Sequence, residues 1–431
     1  MKNNVSKKRY AQVGTGGRAR FFYEAVAKDY SATSEIVAFC DVNKTRMDFA
    51  NKQLEQLGAK QVPTYKHYEF DKMIEENKPD FVIVTSVDRT HDEYIIRAME
   101  LGCDVITEKP MTIDEKRAQA IIDAQKRTGR TVRVSFNYRY APHNTKIREL
   151  IMDGAIGDVY SVHFEWFLNT SHGADYYRRW HRNKENSGGL LVHKSTHHFD
   201  LVNFWLGTKP DTVYAMGDLN FYGRTNAERR GVKEFYYRCH GSEIAKMDPF
   251  YLDMESSPMM KGLYLDAEHE DGYLRDKSVF SEEISIEDTM GVMVRYKNKA
   301  ILTYSLNSYL PLEGFRVAFN GSKGRMEAEI YENAYVNAGG KLANEGSVNA
   351  RKITVYPMFG SSYEVEIPVA EGGHGGGDPV LLNDIFGVPV EDKFHRAANH
   401  VDGALSILTG VAANKSIASG MPVKVDTLVK F

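Results

Sequence analysis

A chain of 431 residues is longer than one ordinary hydrophobic core organises, so two domains are expected. The composition, 42% hydrophobic and 26% charged, is that of a soluble globular protein, and the formal net charge of −3 offers no electrostatic basis for binding nucleic acid or an anionic membrane surface. The three cysteines Cys40, Cys103 and Cys239 have neither metal spacing nor a disulfide framework, no window reaches the apolar length of a membrane span, and the basic N-terminus lacks the apolar core of a signal peptide, so the expected location is the cytoplasm.

In chain order, residues 9–14 (RYAQVG) read as a short buried strand that runs into Gly14-Thr15-Gly16-Gly17-Arg18-Ala19 and then a helix. EIVAFCD is a second strand ending at Asp41. KTRMDFANKQLEQLG is an amphipathic helix stopped by Gly58. PDFVIVTS is continuously apolar, as a strand buried on both faces of a parallel sheet must be. A helix follows to Gly102, then the strand CDVITEKP, a helix over TIDEKRAQAIIDAQKRTG, and a strand over TVRVSFNYRY. This βαβ rhythm predicts a doubly wound parallel sheet for residues 1–138. From 139 to 431 the strands alternate and are linked by turns, which predicts an α+β domain with an open, mostly antiparallel sheet and helices on one face. Residues 224–285 are polar and irregular, an expected insertion. Residues 395–420 predict a late helix that packs back on the core, and the glycine-rich EGGHGGGD at 371–378 predicts a loop.

The turn after the first strand carries a dinucleotide fingerprint, taken here as Gly14, Gly16, Gly17, Arg18 and Ala19. Gly14 permits the tight turn, Gly16 lets the backbone approach a pyrophosphate, and small Ala19 lets the helix pack on the strand. The helix N-terminus then offers free N–H groups to the phosphates. Asp41 ends the next strand, 22 residues beyond Ala19. A carboxylate there accepts from an adenosine ribose and repels a 2′-phosphate, so NAD is expected rather than NADP. Further on, Glu108-Lys109-Pro110 follows a strand at the carboxyl edge, where ligands gather. A lysine held there can hydrogen-bond a substrate oxygen; on the tripeptide alone a solvated surface lysine is the simpler reading.

VGTGGRA, CDVN, VIVTSVDRTHDEYIIRAMELGCDVITEKP, FNYRYAP and GGLLVHKSTHHFDLVNFWLG, in this order, resemble the Gfo/Idh/MocA oxidoreductases. The resemblance implies a Rossmann domain followed by an open-sheet domain whose outer face forms a homodimer or homotetramer contact. It implies that Thr85 and His91 lie near the nicotinamide, that Glu108 belongs to the cofactor side, and that Lys109 is the substrate-binding lysine. Asn137 and Arg139 would line the cleft, and Trp180 and Arg182 would approach cofactor or substrate. The implied partner is a small carbohydrate or polyol.

The segment GGLLVHKSTHHFD departs from the family pattern GGG-x-L-x-Asp-x-Gly-x-His-x-x-Asp. His193 stands at the first aspartate, Ser195 at the glycine and Ser187 at the first glycine, while His197 and Asp200 match. His193 and His197 are four apart and share a face if helical. Oxidation of a carbinol needs a proton acceptor near neutral pH, which a histidine supplies. His197 is therefore the expected base, Lys109 the group that polarises the same oxygen, and His193 a second partner or relay. Asp200 reads as a cap or orienting group and His198 as packed. A zinc site from His193, His197 and Asp200 lacks the HExxH glutamate and faces Lys109 and Lys194, so no metal is expected. His374 sits in the glycine loop and can reach over the cleft as a substrate contact. The expected activity is an NAD-dependent dehydrogenase acting on a secondary hydroxyl or ketone of a sugar, glycoside or polyol. The alternatives are an NAD-dependent glycosidase working through transient oxidation, and a non-catalytic NAD-binding sensor.

Overall fold

Six parallel strands, β1 (Lys8–Val13), β2 (Ser34–Asp41), β3 (Thr64–Lys66), β4 (Phe81–Val84), β5 (Asp104–Thr107) and β6 (Val132–Val134), lie in the order β6-β5-β4-β1-β2-β3 in the computed structural model, which describes residues 7–332 and 344–431. The basic start of the chain read from the sequence, residues 1–6, lies outside them. Three of the four β4 residues are fully buried, as expected where helices cover both faces. The order of the connections reverses between β4 and β1, which run parallel, and that switch point is where an open α/β sheet binds its ligand. A two-residue strand, Ala398–Asn399, adds antiparallel to β6, so the late part of the chain closes this sheet's edge.

The second sheet has seven long strands, β7 (Val159–Asn169), β8 (Pro210–Asp218), β9 (Thr289–Tyr296), β10 (Ile301–Leu310), β11 (Gly314–Gly321), β12 (Gly324–Glu332) and β13 (Val348–Pro357), and a two-residue edge strand, β14 (Tyr363–Glu364). Their order is β14-β13-β12-β11-β7-β10-β9-β8, with Val423–Lys424 beside β8. Neighbours are antiparallel except β7 and β10, which run parallel. Burial alternates strictly along β9, so one face is covered and one is open. The covered face meets the helices Thr170–Arg178, Ser195–Leu206 and His400–Ser419.

The late helix ties the two sheets together. Asn399 caps it by accepting from Val401 N and Asp402 N at 2.8 and 3.3 Å. Its Gly403 meets Met111 and Val134, and its Gly410 lies against the Leu191 carbonyl, where a Cβ would stand 2.1 Å from the oxygen.

Three expectations change. The strand foreseen over 131–140 stops at Val134, and Asn137–Tyr140 is a 3₁₀ turn. There the Tyr138 and Arg139 carbonyls accept from the side chains of Asn144 and Thr145, both at 2.9 Å, so they need no ladder partner. The stretch read as a loop at 371–378 is irregular through Gly376, with His374, Gly375 and Gly376 in left-handed geometry, and only its last residues enter the regular turns of the helix assigned as Gly373–Phe386. The insertion is not simply polar: Cys239, Leu252, Met260, Leu263 and Tyr264 form a small apolar core of their own.

Candidate active site

The glycine turn is shaped by crowding on one side and by space on the other. Gly14 has φ of +81°, and a Cβ there would lie 2.6 Å from the backbone of Thr85 and Ser86, so only glycine lets β1 end against β4. A Cβ on Gly16 would meet nothing nearer than the Tyr264 hydroxyl at 4.0 Å; this residue is small because its backbone faces open space. That space is the start of a cavity of about 610 Å³. Asp41 closes the same turn, accepting from Thr15 N at 2.6 Å, Thr15 Oγ1 at 2.9 Å and Asn43 N at 2.9 Å, and it lines the cavity. An open backbone cradle at a helix N-terminus, with a carboxylate at the end of β2, suits a dinucleotide. Gly14, Gly16, Gly17, Arg18 and Asp41 all border the space, while Ala19 is buried behind it as the packing residue.

Glu108 joins this turn to the next one. Its Oε1 accepts from Arg18 Nε at 2.8 Å and its Oε2 from the Lys109 N–H at 3.1 Å. Thr85 Oγ1 bonds the Val13 and Gly14 carbonyls at 3.0 and 2.6 Å, fixing the ends of β1 and β4 together. The His91 ring lies between the Pro110 and Ser86 carbonyls at 2.9 and 3.1 Å and holds the Lys109-Pro110 turn, whose peptide is cis. Burial, with a smaller push from Lys109, keeps His91 below the usual imidazole range.

At the middle of the cavity stand Lys109, His193 and His197. The Lys109 ammonium has no hydrogen-bond partner among the described residues; burial brings its pKa down to about 8, against the pull of Glu108. The two histidines come from adjoining short helices, Leu190–His193 and Ser195–Leu206, interrupted at Lys194, rather than from one helix. Both still face the cavity. His193 Nδ1 is 2.5 Å from Asp88 Oδ2. Burial and then the charge of Lys109 hold His193 well below the usual range; burial pushes Asp88 up, while Lys109 and Arg179 pull it back. In the tautomer that donates Nδ1–H to an ionised Asp88, Nε2 is the acceptor that faces the cavity. His197 has no such anchor among the described residues: its Nδ1 is buried with no partner among them, and its ring is held edge-on to Tyr138 at 4.8 Å between centroids.

The inner end of the cavity adds Lys194, from the histidine segment, and two residues that no motif flagged, Glu313 and Glu332. Lys194 is buried yet has no hydrogen bond or ion pair among the described residues; its Nζ lies 5.1 Å from the Trp166 ring and 5.6 Å from that of Tyr138. Facing it are Glu313, pushed by burial to about 8, and Glu332, pushed to about 7, each drawn back by Lys194. Glu313 also meets His172 Nδ1 at 2.8 Å and accepts from Asn169 N at 2.7 Å. His374 lines this end, with Nδ1 2.9 Å from Asp378. Asn137 borders it too and donates to Asp378 at 2.7 Å.

Two foreseen contacts do not reach the cavity. Arg139 is buried in a bidentate pair with Asp200 at 2.7 and 2.5 Å and also meets Asp402 at 3.3 Å, which gives Asp200 the role of counter-ion. Arg182 is buried behind the wall and donates Nε to the Glu283 carbonyl at 3.3 Å; its neighbour Trp180 does line the space, stacked on His181. His198 packs away from the cavity, flat on Trp166 at 3.9 Å and bonded to the Tyr304 hydroxyl at 2.6 Å. Among the described residues no group of three or more His, Cys, Asp or Glu is arranged to hold a metal ion, and no helix is long and apolar enough to cross a membrane. The residues that sequence reasoning missed, Asp88, Glu313, Glu332 and Tyr264, come from separate parts of the chain; Lys194 enters that reasoning only as a positive charge that opposes a metal.

Comparison with known proteins adds the following. Residues 8–136 match the family described as "Oxidoreductase family, NAD-binding Rossmann fold", and residues 148–425 match its "C-terminal alpha/beta domain". The Bacillus subtilis (strain 168) protein named "Putative oxidoreductase YteT" is 37% identical over 429 residues, covering 97% of this chain and 98% of that protein. Inositol 2-dehydrogenase of Rhizobium meliloti (strain 1021) is 32% identical over 136 residues, 32% of this chain and 39% of that protein. The crystal structure of aldose-aldose oxidoreductase from Caulobacter crescentus, complexed with glycerol, superposes with a TM-score of 0.64 at 18% identity, covering 97% of this chain and 99% of that one.

Proposed function

The chain belongs to the Gfo/Idh/MocA oxidoreductase family, and from that premise we propose that it is an NAD-dependent dehydrogenase that interconverts a secondary hydroxyl and a ketone on a sugar, glycoside or polyol. One observation carries the reading: a lysine ammonium with no hydrogen-bond partner among the described residues and a histidine bonded to a carboxylate face a single cavity that begins at the dinucleotide turn. The turn Gly14–Arg18 would hold the pyrophosphate and Asp41 the adenosine ribose, which favours NAD over NADP. When bound, the nicotinamide supplies the acceptor for hydride from the carbinol carbon. The protein's own part is to hold the oxygen and take its proton. Lys109, still protonated at neutral pH, donates to the substrate oxygen and stabilises developing alkoxide character. His193, neutral and with Nδ1 tied to Asp88, accepts the hydroxyl proton at Nε2. This revises the expectation that made His197 the base, because His197 has no partner among the described residues that sets its tautomer. At the inner end, the Lys194 donor opposite Glu313 and Glu332 suits neighbouring hydroxyls of a polyol ring. The named activities of the inositol and aldose relatives support a hydroxyl-rich substrate.

The test is a screen for NADH fluorescence across sugars, glycosides and polyols. At least one should be oxidised, with Lys109→Ala and His193→Ala each lowering kcat/KM by about 10²- to 10⁴-fold. Turnover that survives both substitutions would refute the assignment. The glycosidase reading keeps a claim through His374, a second imidazole anchored by a carboxylate at the same cavity. Release of nitrophenol from a nitrophenyl glycoside without net NADH would select it. As a member of an oxidoreductase family the chain is an enzyme, and the sensor reading is set aside.

A further inference from the structure

The insertion ends on the dinucleotide turn. Its segment from Ser257 to Tyr273 crosses to the first domain and seats on the helix Lys44–Gln56, where a Cβ on Gly262 would stand 2.5 Å from the Phe49 ring. Polar ties fix the seat. Asn43 Nδ2 donates to the Ala267 carbonyl at 2.9 Å, and Arg46 donates to the Leu263 carbonyl at 3.0 Å and to Asp271 at 2.6 Å. The Glu270 carboxylate accepts from Lys44 N, Thr45 N and Thr45 Oγ1, all at 2.7 Å, and from Lys66 Nζ at 2.8 Å. It thereby occupies the free amides at that helix's start. The consequence is local to the cofactor turn: the Gly17 N–H donates to the Tyr264 hydroxyl at 3.1 Å, and Tyr264, Tyr273, Arg46 and Asp271 all border the cavity.

We infer that residues 257–273 form a strap that completes the dinucleotide site, with Tyr264 touching the cofactor's pyrophosphate beside Gly17, so that the cofactor leaves only when the strap lifts. This rests on the dinucleotide reading above. An amide that bonds a phenol oxygen is a donor that a phosphate oxygen can take over, and the phenol then turns its own O–H to the phosphate. The polar ties sit on the opposite lobe from the strap's origin, so holding and releasing the cofactor becomes a matter of breaking contacts between lobes rather than of the fingerprint alone.

The experiment follows NADH fluorescence on the full chain, by titration and by stopped-flow displacement with excess NAD. Tyr264→Phe should raise the NADH Kd about tenfold, the scale of one hydrogen bond to a charged acceptor. The double variant Glu270→Gln, Asp271→Asn should speed NADH dissociation at least about tenfold, because affinity changes of this kind are expressed mostly in the off-rate. Hydrogen exchange on the wild type supplies a measurement independent of any variant's folding: saturating NADH should slow exchange across 257–273. Wild-type binding with dissociation rates within twofold in the variants, or with unaltered exchange in the strap, overturns the strap while leaving the dinucleotide reading intact. A wild type that binds no NADH overturns both.

Discussion

His193 and His197 face the same cavity, and what separates them is the second nitrogen. On His193 it is bonded to Asp88; on His197 it is buried with no partner among the described residues. A base whose tautomer is set by a neighbour accepts at a defined atom, whereas an unanchored ring divides between two tautomers. His193→Ala should therefore lower kcat by about 10²- to 10⁴-fold, Asp88→Asn by about 10- to 100-fold, as for the outer partner of an oriented histidine, and His197→Ala by less than either. Steady-state kinetics on the three variants decide the order, and a larger loss at His197 would return the base to that residue. Lys109 sets the pH dependence. Its pKa is brought down to about 8, so the ammonium is present below pH 8 and lost above it, and kcat/KM for oxidation should fall as pH rises through that value. His193 stays neutral to well below its ordinary range, so no acid limb is expected near pH 6.5. Glu313 and Glu332 titrate close to Lys109, and Lys109→Arg separates the two sources: the alkaline limb disappears if it belongs to the lysine and persists if it belongs to the glutamates.

The element that positions the histidines is remote from them in sequence. The late helix presses Gly410 onto the Leu191 carbonyl, two residues before His193, and its Ser406 hydroxyl meets that of Thr196 at 2.9 Å. Any side chain at 410 has to push the Leu190–His193 turn outward. Gly410→Ala should cost about 1–3 kcal/mol, as overpacking does, and should lower kcat as well, because the displaced turn carries the base. Urea unfolding followed beside activity tests both, and an unchanged midpoint would show that the helix yields instead. The helix itself is legible in the sequence, from its apolar run, and so are the buried parallel strands and the glycine turn, since each is written in consecutive residues. The Asp88–His193 pair is not, because its members are 105 residues apart and neither sits in a motif that names the other. The same holds for Lys194 with Glu313 and Glu332, and for Tyr264 over Gly17: local pattern specifies an element, but which side chains meet across elements is decided by packing.

At the scale of the whole molecule, the parallel sheet is covered on both faces while the larger sheet is covered on one, and the character of its open face decides how the molecule meets others of its kind. An open antiparallel face turned to water carries polar side chains. Here three neighbouring strands turn large apolar ones outward instead: Met216 on β8, Met293 on β9 and Ile301 on β10 are 66%, 51% and 46% exposed. They are diagonal neighbours on one face: Met293 lies opposite Tyr214 and Thr303, each two residues along its strand from Met216 and Ile301. Exposed apolar side chains grouped on one sheet face are where association is expected, and a second copy presenting the same face would cover them with two-fold symmetry. Light scattering on the purified chain should thus report a dimer or tetramer at micromolar concentration. Met216→Lys with Met293→Lys, which places two charges in the middle of the patch without touching the covered face, should shift the protein to monomer and leave the cofactor site's NADH affinity within about twofold, as additivity between distant sites requires. A wild type that is already monomeric, or a double variant that keeps its assembly, would show that this face is not the contact.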